Sequence, residues 1–141
     1  MMKVSTISKV KVRYGETDQM GVVYHGNYAQ FLEIGRIDWL SQLGFSYKKM
    51  EEEGVMLPVV NLNTDFKAPA YFDDELTIVT SIVKKPTVKI EFHYEVYNQN
   101  KDLLTTGSTV LVFVSTETRR PIKCPVDLLQ TIESYPETET P

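Results

Sequence analysis

The apolar residues that follow position 27 recur every three or four residues over about four turns, which predicts an amphipathic helix over 28–43. Asn27 is predicted to cap its start, with Gln30 at the third helical position, and Gly44 suits its end. Gly35 lies on the apolar face of this helix, where it costs about 1 kcal/mol relative to alanine. Close approach of the helix to a sheet would compensate for that cost. The apolar positions are Tyr28, Phe31, Leu32, Gly35, Trp39, Leu40 and Leu43.

Beyond Gly54 the apolar period changes from 3.6 to 2, which is typical of β-strands. The connections between these segments are too short for crossover helices, so neighbouring strands should be antiparallel. Together the elements predict an α+β domain in which one antiparallel sheet of about five strands wraps against one long helix. The predicted strands span 10–14, 57–67, 74–84, 87–98 and 103–116, and shorter helices are predicted over 46–53 and 125–135.

The segment Val110–Val114 is apolar at five consecutive positions, as expected of a central strand that is covered on both faces. One long helix covers only one face of a sheet. We therefore expect a partner subunit to cover the other.

The chain has 141 residues, a formal net charge of −4 and a single cysteine, Cys124. This length fits one domain, predicted over 1–135 and followed by a flexible tail over 136–141. A net negative charge argues against a nucleic-acid binder, and one cysteine excludes an intrachain disulfide, which favours the cytoplasm. With no long apolar run, we expect neither a secretion signal nor a membrane span.

The most informative segment is the glycine-punctuated loop that precedes the long helix. It places Asp18 seven residues before His25, at a helix N-terminus whose free N–H groups can hold a developing oxyanion. A carboxylate that attacks or activates water at such a place predicts a hydrolase acting on an acyl group. The alternative is structural: Asp18 and Gly21 suit a type I turn, and His25 would be an exposed loop residue.

Other signatures of catalysis are absent from the sequence. The two histidines and one cysteine lack metal-ligand spacing, so we expect no metal site. Neither a GxSxG motif nor a glycine-rich phosphate loop occurs, so the signatures of a serine hydrolase and of a nucleotide-triphosphate enzyme are missing. Glu33 and Arg36 form an i,i+3 pair whose default interpretation is an ion pair. Basic residues cluster near 84–89 and 119–123, where they either bind a small anion or simply lie in solvated turns.

The loop motif Asp18-x-x-Gly21-x-Val23-x-His25-x-Asn27-Tyr28, followed by Glu33 and Arg36, resembles the hot-dog-fold acyl-CoA thioesterases of the YbgC and 4-hydroxybenzoyl-CoA thioesterase family. The likeness spans about residues 8–130 and includes the segment 66–76. It implies a hot-dog fold, with a five-stranded antiparallel sheet wrapped around a central helix. It also implies homodimers that pair edge to edge, or homotetramers, with active sites at the subunit interface.

The resemblance further implies roles for individual residues. Asp18 matches the catalytic carboxylate, as nucleophile or general base, and the backbone N–H at His25 or its neighbour polarises the thioester carbonyl. The His25 side chain matches the YbgC branch, whereas the 4-hydroxybenzoyl branch has an aromatic residue there, which favours a short aliphatic or other acyl group. Tyr24 is expected to fix the thioester. The expected substrate-binding residues are Asn27, Tyr28, Lys67, Arg119, Arg120 and Lys123.

The sequence thus predicts a thioesterase that hydrolyses a small or medium acyl-CoA without a cofactor, since coenzyme A is part of the substrate. Two alternatives stay open. One is a hot-dog dehydratase that uses His25 and Glu33, and the other is a non-catalytic module that binds acyl-CoA or an acyl carrier.

Overall fold

The computed structural model describes residues 2–136, so residues 137–141 of the predicted tail lie outside the described part of the chain. Short 3₁₀ turns at Tyr14–Glu16 and His25–Asn27 flank the loop that precedes the long helix. The strands are β1 Val4–Lys11, β2 Val55–Met56, β3 Val59–Phe66, β4 Glu75–Ile82, β5 Lys89–Tyr97, β6 Leu103–Val112 and β7 Val114–Ser115. The helices are α1 Tyr28–Gln42, α2 Tyr47–Glu52 and α3 Val126–Ser134.

Five strands form one sheet in the order β1-β4-β5-β6-β3, and every neighbouring pair is antiparallel. Helix α1 packs on one face of this sheet, and β2 and β7 form a separate two-stranded ribbon. The predicted α+β architecture of a five-stranded sheet around one long helix is therefore confirmed. Strand β5 shows why the pattern was informative, because Ile90, Phe92, Tyr94 and Val96 are all buried.

Helix α1 lies very close to the sheet at Gly35. A Cβ atom placed on this glycine would lie 2.5 Å from Oγ1 of Thr80 and 2.9 Å from Cγ2 of Ile78, both in β4. At the end of the helix Gly44 has φ +95°, and the N–H of Phe45 donates to the carbonyl of Leu40 at 2.9 Å. This Schellman arrangement confirms Gly44 as the C′ residue.

The first strand was predicted wrongly. It spans 4–11 rather than 10–14, and Tyr14 lies in a 3₁₀ turn. The reason is that the face of β1 turned to the core carries Thr6 and Ser8, both buried, so that it lacks the apolar alternation that identifies a strand.

The strand predicted over 103–116 is divided in the structure, whereas the strand predicted over 57–67 is the single strand β3, preceded by the separate β2. Pro58, which has no N–H, separates β2 from β3, and the ladder is interrupted at Phe113 between β6 and β7. The structure also corrects the position of Val110–Val114, because β5 and not β6 is the central strand.

Strand β3 is an exposed edge of the sheet. Its only strand partner within residues 2–136 is β6, and seven of its eight residues are exposed. Val59, Val60, Leu62 and Phe66 are 41–56% exposed although they are apolar. An unpaired edge with apolar side chains is a template for pairing with another chain.

No helix among the described residues is long and apolar enough to span a bilayer.

Candidate active site

The loop between β1 and α1 is fastened to the rest of the fold by backbone hydrogen bonds. The N–H of Val23 donates to the carbonyl of Ala70 at 2.8 Å, and the N–H of Tyr24 donates to that of Glu16 at 3.0 Å. Glu16 is itself buried, and its carboxylate accepts from the N–H of Arg13 at 2.7 Å. These bonds hold the loop in one conformation ahead of the helix.

Asp18 shapes the tight turn at the tip of this loop, as its structural interpretation predicted. Its Oδ1 atom accepts from the N–H of Met20 at 2.8 Å, and its carbonyl accepts from Gly21, which has φ +79°. The side chain is exposed, and no donor within residues 2–136 reaches its second oxygen, Oδ2. One carboxylate oxygen is thus held by the turn while the other is available.

The helical turn begins at His25, earlier than predicted, because the 3₁₀ turn runs directly into α1. Asn27 therefore has helical dihedral angles (φ −80°, ψ −15°) and makes no capping bond, so its prediction as an N-cap is wrong. Its side-chain amide instead donates to the carbonyl of Glu16 at 2.8 Å and supports the loop. In the described chain, the N–H groups of His25 and Gly26 have no acceptor, as expected at a helix start.

Tyr24 lies against this helix start. A Cβ atom on Gly26 would lie only 2.7 Å from Cε2 of the Tyr24 ring, so glycine is required for the ring to reach this position. The ring itself is 60% exposed. Gly26 is a site residue that sequence reasoning missed, because its requirement arises from a neighbour two residues away.

A cleft of about 230 Å³ opens beside the helix start. The ring of His25 stacks on Phe66 at a centroid distance of 4.1 Å and an interplanar angle of 12°, and Phe66 also contacts Tyr28 at 5.3 Å. Phe66 was not predicted as a site residue, since only the fold brings the end of β3 to this place. The cleft is lined by Val22, Val23, His25, Tyr28, Phe66, Lys67, Ala68 and Pro69.

Tyr28 forms the floor of this cleft and is only 2% exposed. Burial raises the pKa of its phenol above the usual value, so the hydroxyl stays protonated around neutral pH. The nearby side chain of Thr105, in β6, opposes this rise without reversing it.

The structure brings together three of the predicted site residues, His25, Tyr28 and Lys67. Asp18 lies in the same loop but does not line the cleft of a single chain. The basic residues Arg119, Arg120 and Lys123 are exposed and lie elsewhere. They follow β7, beyond the Val59 end of β3, whereas the cleft is at the Phe66 end, about 23 Å away along the strand.

His25 and Glu33, the pair predicted for a dehydratase, lie in different cavities. Glu33 is paired with Arg36 instead, with 3.8 Å between Oε2 and Nη2. The predicted ion pair is thus present.

Comparison with known proteins agrees with this architecture. The sequence model of the thioesterase-like superfamily matches residues 12–132. YneP of Bacillus subtilis is 36% identical over 115 residues, which cover 82% of this chain and 83% of YneP. The acyl-CoA thioester hydrolase YbgC of Escherichia coli is 31% identical over 120 residues, which cover 85% of this chain and 90% of YbgC.

A solved structure of a DHNA-CoA thioesterase from Staphylococcus aureus superposes with a TM-score of 0.88 and 36% identity, covering 92% of this chain and 89% of that one. The chain therefore belongs to the thioesterase-like superfamily and is a thioester hydrolase with the hot-dog fold.

Proposed function

We propose that this protein hydrolyses the thioester of a small or medium acyl-CoA to the free acid and coenzyme A, at the cleft beside the start of α1. The observation that carries the proposal is the pair of free N–H groups at His25 and Gly26, in the same short loop as a carboxylate with a free oxygen. YbgC, 31% identical, is named an acyl-CoA thioester hydrolase, which supports the same substrate class.

In this mechanism the carbonyl oxygen of the thioester accepts hydrogen bonds from the N–H groups of His25 and Gly26. The Asp18 carboxylate then either removes a proton from water, whose oxygen attacks the carbonyl carbon, or attacks that carbon itself. Negative charge moves to the carbonyl oxygen, where the amides and the positive end of the α1 dipole stabilise it. In the general-base route the C–S bond breaks and the leaving thiolate takes the proton that Asp18 removed from water, so that the free acid and coenzyme A are released. In the nucleophilic route the C–S bond breaks to leave the acyl group as a mixed anhydride on Asp18; water then hydrolyses this anhydride to the free acid, regenerates the carboxylate and supplies the proton of the thiol.

Tyr24, His25 and Tyr28 position the acyl group in this proposal. The stacking of His25 on Phe66 fixes the imidazole ring beside the thioester, and the Tyr24 ring lies next to Gly26, whose N–H is one of the free amides. Asn27 acts through the loop rather than by contact, because its amide is bonded to Glu16.

A homodimer that pairs through β3 would complete the site, and two such dimers would form a tetramer. Under a two-fold axis across β3, the Val59 end of one chain meets the Phe66 end of the other. Arg119, Arg120 and Lys123 of the second copy then approach the cleft, where Lys67 already supplies one cation for the phosphates of coenzyme A. The proposed compartment is the cytoplasm, with no nucleic-acid partner.

The test is a thiol-release screen of acyl-CoAs of increasing chain length and of aryl-CoAs, with Asp18→Asn beside the wild type. Asparagine keeps an oxygen that accepts from the N–H of Met20, so the turn survives while the carboxylate is lost. We expect a loss of at least about a hundredfold in kcat/KM, comparable with removal of an oxyanion donor. Glu133→Gln, which removes an acid in α3 that pairs with Lys85, should leave turnover unchanged.

Near-wild-type hydrolysis by the Asp18→Asn variant would show that this carboxylate is not the catalytic group. Tight binding of acyl-CoA by the wild type, without thiol release for any substrate, would instead support the non-catalytic alternative. A change in enoyl absorbance without thiol release would identify a dehydratase.

A further inference from the structure

A second cavity, of about 310 Å³, lies between α1 and the beginning of β3. Its walls are mainly apolar, and one cation and one anion, Arg36 and Glu33, lie at its helix side. No step of the proposed hydrolysis uses either charge. The lining residues are Glu33, Arg36, Ile37, Leu40, Tyr47, Leu57, Val59, Phe92 and Leu111.

Arg36 is an almost buried charge. Its side chain is 12% exposed, whereas that of its partner Glu33 is 64% exposed. The 3.8 Å between Nη2 and Oε2 is too long for a hydrogen bond, so this pair does not satisfy the guanidinium donors. The Tyr94 hydroxyl, which is bonded to Thr109 at 2.7 Å, also lies close enough to Arg36 to accept from one of its donors, but it is a neutral group and leaves the other donors without a carboxylate partner.

A guanidinium group stays charged at every physiological pH and carries five N–H donors. Holding most of these donors away from water without a hydrogen-bonded carboxylate is unfavourable. An oxygen acceptor that entered the cavity would replace the lost hydration and form charge-assisted hydrogen bonds. The apolar walls, such as Leu40 and Phe92, suit the hydrocarbon part of the same ligand.

The cavity is also placed to receive an acyl group. Val59 lines it, and Val59 is at the opposite end of β3 from Phe66 in the His25 cleft. When two copies pair antiparallel through β3, these two ends are exchanged across the two-fold axis. The Arg36 cavity of one copy then adjoins the His25 cleft of the other.

We propose that Arg36 is a specificity-determining residue that binds an oxygen acceptor, a carboxylate or a hydroxyl, at the distal end of the acyl group. This inference rests on the proposed thioesterase activity and names its substrate class: acyl groups with an apolar body and an oxygen-bearing end. The thioester carbonyl lies at the helix start of one copy while the distal oxygen reaches Arg36 of the other.

The first experiment measures kcat/KM for matched pairs of substrates, adipoyl-CoA against hexanoyl-CoA and hydroxyphenylacetyl-CoA against phenylacetyl-CoA. The wild type should prefer the oxygen-bearing member of at least one pair. Arg36→Met should lower kcat/KM for that member by about ten- to a hundredfold, the range of a hydrogen bond to a charged group, and leave the unsubstituted member nearly unchanged. Arg36→Lys should restore part of the preference for a carboxylate.

The unsubstituted substrates report whether the Arg36 variants fold and turn over. The matched control is Lys85→Met, which removes an exposed cation that pairs with Glu133 in α3, and it should keep the wild-type preference. Equal losses for both members of each pair, or a wild type that hydrolyses both equally, would overturn the role of Arg36. Failure of the wild type to hydrolyse any acyl-CoA would overturn the proposed function instead.

A second experiment tests the placement across subunits. Asp18→Asn and Arg36→Met chains are co-expressed, purified by different tags as mixed dimers, and assayed with the preferred oxygen-bearing substrate. One site of each mixed dimer then combines the intact Asp18 of one chain with the intact Arg36 of the other. Activity near half that of the wild-type dimer is expected, whereas activity no greater than the mean of the two parent variants would place both residues in one chain's site.

Discussion

Replacement of Gly35 by alanine tests the packing on which the position of α1 depends. The added Cβ atom would lie 2.5 Å from Oγ1 of Thr80 and 2.9 Å from Cγ2 of Ile78. Real Cβ atoms do not approach other heavy atoms so closely, and both neighbours are completely buried, so neither turns away into solvent. Either the helix moves away from β4 or the two side chains repack.

The magnitude follows from two opposing effects. Alanine is the better helix former by about 1 kcal/mol. Overpacking of a close-packed core costs about 1–3 kcal/mol, and two contacts below 3.0 Å with fully buried neighbours place this site at the upper end. We therefore expect Gly35→Ala to lower the free energy of unfolding by about 2 kcal/mol.

The assay is urea unfolding followed by circular dichroism, with the double variant Gly35→Ala/Thr80→Ala to identify the clash. Because Thr80→Ala removes the nearest atom, Gly35→Ala should cost less in that background, by about 1 kcal/mol. Gly15→Ala is the control, since nothing lies within 4 Å of its added Cβ, and its effect should stay within about 0.5 kcal/mol. A Gly35→Ala protein as stable as the wild type would refute the close approach of helix and sheet.

Three further predictions concern the turn, the edge strand and the cysteine. Asp18→Ala removes the acceptor for the N–H of Met20 and should lower stability by about 1 kcal/mol in thermal unfolding, whereas Asp18→Asn should not; equal stabilities would contradict the role of that bond. Leu62→Lys should shift the protein to monomers in light scattering and abolish turnover, since a charge at the exposed edge opposes pairing, and an active dimer would exclude β3 as the interface. Burial raises the pKa of the Cys124 thiol to about 12, so the reactive thiolate is scarce until the pH approaches that value. Alkylation of Cys124 at neutral pH should therefore be on the order of a thousandfold slower in the folded protein than in urea-unfolded protein. Comparable alkylation rates in the two states would contradict the burial of this thiol.

Prediction from the sequence succeeded where one residue pattern has one local outcome. The apolar spacing after position 27 identified α1, and Gly44 ended it through a positive φ that favours glycine. The alternation of buried residues identified β5 in the same way. Prediction from the sequence failed for β1, because hydroxyl side chains such as Thr6 and Ser8 occupy its core face and remove the apolar alternation that marks a strand. Asn27 failed as a cap for a different reason, since the 3₁₀ turn that starts at His25 runs directly into α1 and leaves Asn27 with helical dihedral angles.

The candidate site was predicted in part. Their types and spacing identified Asp18 and His25 as chemically interesting residues, whereas Tyr28 was implied as a site residue only by the resemblance of the loop motif. The sequence could not indicate that His25 stacks on Phe66, since the two are far apart in the chain and meet only when β3 and α1 pack. Nor could it show that Arg36 is almost buried while Glu33, three residues earlier on the same helix, is mostly exposed.

The sequence by itself thus determined the helix and most strands, because periodicity and turn residues act over a few neighbouring positions, and the family was identified by the resemblance of the loop motif. Tertiary structure decided which residues share a cleft, which edge of the sheet stays open and which charge loses its water. These properties depend on contacts between residues remote in the chain, whose energies arise only when distant segments exclude solvent together. The open edge at β3 and the low exposure of the Arg36 side chain are both of this kind.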